Sequence, residues 1–312
     1  MKTLLLPVAC LLFSIIVRGQ LNARENKDTT AQSTFNIVPI PDSLKTSEIK
    51  SYFQVEASYV SDNVYLGRKD SVALPYFTPL LGYYAKSGFF TTASFGFLTS
   101  AAASRLDVVN LAMGYAFTKG NYDGELTGTK YFYSSQSTSV KSEVKASIEY
   151  LSGYDFGFIR PTLLTTFNMG NKLDIAASPG LEHTFYLLKD KGEVTPTLLM
   201  NASTQNYYNN YYKVRRYNPK RKTKLPPNGV ASISGEVLNA AAFKVLDYEF
   251  SVPLKYNFGK CEISFTPVYA LPVHPAEVNI TTAFNNGTTN TKTGVEKLQN
   301  TFFSTLEFIC KF

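Results

Sequence analysis

Histidine, cysteine and charge are all scarce in this chain. Its 312 residues include two histidines, three cysteines and only 18% charged side chains. Two histidines leave little for general acid–base or metal chemistry, and no His/Cys/carboxylate group has ligand spacing, so neither a metal nor another cofactor is expected. Long apolar runs are also missing. Beyond the first twenty residues none approaches the ~18 that mark a membrane helix, so any membrane span has to be made of strands. What the chain does have is 21 Tyr and 23 Phe with a mean hydropathy slightly on the polar side. Half-apolar strands rich in aromatics give that combination when one face meets lipid and the other meets water or polar packing.

The N-terminus reads as a secretory signal over residues 1–19. Lys2 supplies the positive start, Leu4 to Val17 the apolar stretch, and Val17-Arg18-Gly19 the exit before Gln20. The apolar stretch is short of the ~20 residues that an uncleaved spanning anchor needs. A lipoprotein cleavage at Cys10 would leave only Leu4 to Leu6 as its hydrophobic region. Residues 20–50 are polar and turn-rich, with Pro39, Pro41 and Asp42, and read as a periplasmic leader.

From Ser51 the residues sort with a period of two, the spacing that puts side chains on one face of a strand. Tyr248, Phe250, Val252, Leu254, Tyr256 and Phe258 alternate with Glu249, Ser251, Pro253, Lys255 and Asn257. Phe53, Val55, Ala57 and Tyr59 alternate likewise with Gln54, Glu56 and Ser58, and Val144, Ala146, Ile148 and Tyr150 with Glu143, Lys145, Ser147 and Glu149. Twelve such segments follow, at 51–60, 76–86, 88–98, 106–118, 121–134, 141–152, 156–168, 172–188, 192–206, 243–258, 260–273 and 300–312. The links between them alternate. Those around Lys86-Ser87, Lys119-Gly120, Gly153 to Asp155, Lys189 to Lys191 and Gly259 are tight, while Ser61 to Pro75, Thr99 to Arg105, Tyr207 to Ala242 and His274 to Asn300 are longer. Short periplasmic turns alternating with longer outer loops are the rule for a transmembrane β-barrel. An all-β, antiparallel, up-and-down barrel of about twelve strands over 51–312 is therefore expected, with both ends in the periplasm. A soluble β-sandwich would also alternate along its strands, but it would not account for the alternating links.

The last segment, Thr301-Phe302-Phe303-Ser304-Thr305-Leu306-Glu307-Phe308-Ile309-Cys310-Lys311-Phe312, resembles the C-terminal strand of bacterial outer-membrane proteins. The resemblance implies that Phe312 is the residue read by the barrel assembly machinery. The Tyr/Asn-rich style and the Gly19-Gln20 exit resemble proteins of the Bacteroidota.

The strand face opposite the aromatics carries Glu56, Glu143, Lys145, Glu149, Arg160, Glu182, Glu249, Lys255, Glu262, Glu307 and Lys311. Turned inward, these mixed signs make either a structural ion-pair network or the wall of a narrow polar pore passing small solutes. The stretch from Tyr207 to Lys224 is basic and Tyr-rich, with Lys213, Arg215, Arg216, Lys220, Arg221, Lys222 and Lys224 and no acid. On an outer loop it suits lipopolysaccharide phosphates, with tyrosines packing on sugar or lipid. Other readings are a solvated loop and an inward fold that selects anions. Nucleic acid is not an expected partner, nor is an enzyme activity. His183 shares the parity of Leu181, Phe185 and Leu187 and suits an interfacial structural role, with no partner at a convincing spacing. Cys261 and Cys310 fall at the same end of adjacent strands. They are either a cross-strand disulfide or two small lipid-facing residues.

Overall fold

A computed structural model describes residues 50–69, 72–100, 103–211 and 230–312. The expected signal peptide, nearly all of the leader and the basic run Lys213 to Lys224 lie outside them.

Twelve staves form the wall. In chain order they are β1 (Tyr52–Val60), β2 (Tyr76–Tyr84), β3 (Phe89–Ser100), β4 (Ala103–Lys119), β5 (Tyr122–Tyr133), β6 (Ala146–Tyr154) and β7 (Arg160–Met169). Three staves of two pieces follow: β8 (Leu173–Glu182) with β9 (Phe185–Leu187), β10 (Gly192–Val194) with β11 (Thr197–Ser203), and β13 (Lys244–Ser251) with β14 (Leu254–Phe258). β15 (Cys261–Pro272) and β18 (Thr301–Lys311) complete the set. Each stave pairs antiparallel with its neighbour, and β1 closes the ring on β18 with Ala57 opposite Phe308. The chain is thus a closed barrel of twelve antiparallel strands, as the periodicity predicts. Pro196 and Pro253, which have no N–H to give to a ladder, mark two of the interruptions.

Alternation decides which side chains meet lipid. Phe53, Met113, Leu126, Phe250 and Phe302 stand out from the wall, with Met113 70% exposed, while Gln54, Glu125, Thr127, Glu249 and Thr301 on the other parity are buried inside. The end of the barrel with the tight turns carries outward aromatics in contact. Phe53 lies 5.0 Å from Tyr83, Phe89 4.8 Å from Tyr115, and Phe258 6.1 Å from Phe308 by ring centroids. Such a girdle matches the membrane–water boundary, where amphipathic rings are favoured.

At the opposite end the loops are built up. β12 (Val230–Val237), β16 (Glu277–Phe284) and β17 (Thr289–Val295) form a separate three-stranded sheet, and a short helix α1 (Asn206–Tyr211) and a 3-10 turn at Val140–Glu143 lie with it. Three sequence expectations change here. The described parts of the links 207–242 and 274–300 hold folded elements rather than plain loops. The 99–105 link is tight, because Ser100 pairs directly with Ala103. The sixth stave starts at Ala146 rather than 141, which leaves Val144 buried among the loops instead of facing lipid.

Candidate functional site: the barrel lumen and its cap

Inside the wall the charged residues separate into two groups along the barrel axis. At the tight-turn end, β7 begins with Arg160, β8 ends on Glu182, and β5 begins beside Asp123. The Arg160 guanidinium is 97% buried and bridges both carboxylates, donating Nη2 to Asp123 Oδ2 at 2.5 Å and Nη1 to Glu182 Oε1. Gly153 makes room for it, since a Cβ there would lie 2.5 Å from Arg160 Cζ. Beside this group Lys255 Nζ reaches Glu193 Oε2 at 3.0 Å, and Asn257 Nδ2 donates to Glu193 Oε1 at 3.0 Å. A planar fork between two carboxylates is the arrangement guanidinium suits best.

Toward the loop end the lumen holds a cavity of about 150 Å³, space for roughly ten waters. Its wall includes Glu56, Glu125, Glu149 and Glu307, with Asp62 and Lys141 at the loop side. Small hydroxyl and amide donors hold the carboxylates: Gln54 Nε2 donates to Glu56 at 3.2 Å, Thr127 Oγ1 to Glu125 at 2.8 Å, Ser147 Oγ to Glu149 at 2.9 Å and Ser264 Oγ to Glu307 at 3.0 Å. Asp62 differs, being paired with Lys69 Nζ at 3.3 Å and accepting the Leu74 N–H at 2.9 Å. The wall of the chamber is therefore acidic.

A cap sits above the chamber. Tyr65, in the link after β1, meets the Tyr207 ring edge-on at 5.0 Å, and its hydroxyl accepts from Asn168 Nδ2 at 2.8 Å. Tyr207, Tyr208 and Tyr211 of α1 are all at least 97% buried. The Asp174 carboxylate anchors α1 by accepting the N–H groups of Asn206 and Tyr207, each at 2.7 Å, and the Thr204 hydroxyl at 2.6 Å. That satisfies donors which the start of a helix leaves unpaired. The centre of the cap is Arg68, whose guanidinium donates to the carbonyls of Leu246 and His274, each at 2.8 Å, and lies 3.5 Å from Glu296. Glu296 also accepts from the Tyr208 hydroxyl and from the Ala276 N–H. Gly67, at φ +69°, lets this link run against β13, because a Cβ would come 2.7 Å from that of Asp247. Burial raises the Tyr65 and Tyr207 phenols well above the ordinary tyrosine range.

Of the eleven lumen residues expected from sequence, Glu56, Glu149, Arg160, Glu182 and Glu249 are buried within the wall, and Lys255 lies in the ion-paired group. Glu262, Glu307 and Lys311 share the inward parity and are half-buried. Glu143 and Lys145 are corrected. Glu143 belongs to the 3-10 turn, and Lys145 is exposed and reaches Asn171 at 3.4 Å, because the sixth stave starts beyond them. The Tyr-rich start of the loop is corrected too, since Tyr207, Tyr208 and Tyr211 pack into the cap rather than on an outer sugar or lipid. Sequence reading missed Asp123, Glu125 and Glu193, although the same alternation, applied with Leu126 outward, puts Asp123 and Glu125 inward. Arg68 had no such signal.

Cys261 and Cys310 are directly opposed, with Cα atoms 4.1 Å apart, and form a disulfide. Their neighbours Lys260 and Lys311 are joined by a backbone hydrogen bond, so the cysteines occupy the close, non-hydrogen-bonded position of the ladder. His183 meets Phe185 edge-on at 4.6 Å, and His274 Nδ1 is 2.8 Å from the Val245 carbonyl oxygen. Phe312 is exposed, and its backbone exchanges hydrogen bonds with Phe53 across the closing seam.

No protein-family profile and no curated protein sequence matches the chain. Solved structures similar to it include the KdgM porin (8% identity, TM-score 0.42, covering 83% of this chain and 99% of the porin) and the NanC porin (8%, 0.40, 83% and 100%). An outer membrane channel from Pseudomonas putida F1 is similar at 9% identity and TM-score 0.40, covering 88% of this chain and all of that one. The chain's own closed wall, apolar outside and polar within, makes it a membrane-spanning β-barrel of the bacterial outer-membrane kind.

Proposed function

We propose that the barrel passes small polar solutes across the outer membrane, by way of the acidic chamber and past the tyrosine cap, in the manner of a narrow porin. The observation that carries this reading is the chamber itself. A barrel serving only as a wall gains most by filling its interior, whereas here space is kept, lined by Glu, Ser, Thr and Asn side chains among apolar ones such as Val108, Leu151 and Phe303. The barrel termini and the turns after β2, β4, β6, β9 and β14 belong to the periplasmic side, and the cap and the three-stranded sheet to the outside. Contact of Lys213 to Lys224 with lipopolysaccharide phosphates is a second, separate surface role, supported by seven bases without an acid in that stretch. The barrel assembly machinery is the partner implied by Phe312.

Planar-bilayer recording of the refolded chain tests the passage reading. Small unitary conductance is expected, with the cap as the main resistance. Absence of conductance both in the wild type and in a variant with a loosened cap would remove the reading.

A further inference from the structure

The chamber and the ion-paired group share one lumen but differ in what their charges face. Each buried cation at the tight-turn end is matched: Arg160 with Asp123 and Glu182, and Lys255 with Glu193. In the chamber, with Asp62 paired to Lys69, four glutamates share the lining with one cation, Lys141. Glu125 is 98% buried, and while its Oε1 accepts from Thr127, its Oε2 has no hydrogen-bond partner among the described residues. An unmatched buried carboxylate oxygen is costly unless something completes it.

A second observation indicates what completes it. The Lys141 ammonium, carried by the 3-10 turn, lies 4.6 Å from the Tyr131 ring centroid and 5.3 Å from that of Tyr65. Two tyrosine faces at the chamber's roof thus already hold a primary ammonium, which sits against the negative faces of the rings. A hydrogen-bonded chain continues from there toward the carboxylates, with Tyr131 OH 2.9 Å from Ser147 Oγ and Ser147 Oγ donating to Glu149 at 2.9 Å. Glu149 stands opposite Thr127 and Glu125 opposite Leu151. The two glutamates are therefore diagonal neighbours on one face of adjacent strands, close enough to act on one guest.

We infer that the chamber is a binding site for small primary ammonium cations, with Glu125 and Glu149 as the carboxylates that hold the guest's charge and the tyrosine faces beside its alkyl chain. This inference deepens the passage reading, on which it depends only for the guest's route into the chamber. It makes the lumen select cations, the opposite sign to a loop of basic residues folded inward.

The test is calorimetric titration of the refolded full chain in detergent micelles with n-butylammonium chloride, alongside sodium butyrate as a probe of matched chain length and opposite charge. Butylammonium is expected to bind and butyrate not. Glu125→Gln and Glu149→Gln keep shape and hydrogen-bonding capacity, and each should weaken butylammonium by about tenfold or more. Heat-modifiable gel mobility checks that each variant keeps its barrel. Lys141→Met, which removes a like charge and clears the two tyrosine faces, should tighten binding. Equal binding of both probes, no binding of butylammonium, full affinity in the Glu125→Gln/Glu149→Gln double variant, or weakening in Lys141→Met would each overturn the inference. Bilayer recording separates it from the passage reading. Binding without conductance leaves the site and removes passage, while conductance with no butylammonium binding and no cation preference leaves passage and removes the site.

Discussion

The two ends of the barrel hold their charges and aromatics in different ways. At the tight-turn end, partners lie on adjacent strands or one strand apart: Arg160 and Glu182 are 22 residues apart and directly opposed, Arg160 reaches Asp123 across β6, and Cys261 faces Cys310 across one ladder. Most aromatics there point outward and contact ring neighbours on the same or the next strand, while Tyr52, Tyr84 and Phe90 stack inside the wall. At the loop end the contacts are distant. Arg68 reaches carbonyls 178 and 206 residues away, and Tyr65 and Asn168 are 103 apart. In the cap Tyr65, Tyr207, Tyr208 and Tyr211 turn inward and form a small core with Leu66, Val140 and Leu246. The tight-turn end is thus part of the wall itself, whereas the cap is a second folded unit laid on it. The first should fail only with the whole barrel, and the second should be able to loosen alone.

The largest test of this contrast is Arg160→Leu. It leaves Glu182 fully buried and Asp123 mostly buried without their cation, and removing one partner of a buried pair costs about 3–5 kcal/mol. Because the group is built into the wall, the loss should appear as global destabilisation, read as a lower urea midpoint for the heat-modifiable band. Arg160→Lys should recover part of it, since one ammonium cannot bridge both carboxylates with a planar fork. A global midpoint unchanged by Arg160→Leu would show that the ion-paired group is not structural.

The same difference in range explains what could be read from sequence. Period-two patterning and tight links depend on residues within a few positions of one another, so all twelve staves, their order and the outward aromatics were legible. The pairing of Cys261 with Cys310 was one of two open readings, because strand adjacency brings the cysteines together but does not fix the register that opposes them. The inward carboxylates were half legible. Parity places Glu56 and Glu149, but it says nothing about which of them is neutralised, because that depends on strands around the ring. The cap was illegible. Nothing local marks Arg68 as a buried residue, β12 finds its partner β16 in another link, and the Thr289–Val295 run, though it pairs with β16 in its own link, is too polar to show the apolar alternation of a wall strand.

A smaller effect is expected from Arg68→Ala, and of a different kind. The substitution removes the guanidinium donor from the Leu246 and His274 carbonyls, the former keeping the Val273 N–H, and removes a charge beside Glu296. Hydrogen bonds to a charged group are worth roughly 1.5–3 kcal/mol, and here the loss falls on the cap. Hydrogen exchange in 206–211 and 277–295 should speed up and unitary conductance rise, while the global urea midpoint moves little. A midpoint loss as large as that of Arg160→Leu would mean that cap and wall unfold as one.

The smallest test uses pH. Tyr65 and Tyr207 have phenols raised by burial, so in the folded cap they stay neutral at a pH where an unfolded tyrosine, at about 10, has begun to ionise. Their stabilising contribution is therefore complete below about pH 10 and is lost as pH climbs toward the raised folded values. Half a unit above that point the loss is under about 1 kcal/mol for each phenol. Cap exchange should accordingly be flat from pH 7 to 9, after correction for the intrinsic base dependence of amide exchange, and rise above 10. Tyr207→Phe separates this titration from general alkaline weakening. The Tyr207 hydroxyl has no hydrogen-bond partner among the described residues, so the variant loses no bond at neutral pH and removes one of the two ionising groups. Its alkaline rise should shrink while its neutral exchange stays equal to or slower than wild type. An unchanged alkaline rise in Tyr207→Phe would place the sensitivity outside the cap's buried tyrosines, and with it the separate failure of the loop end.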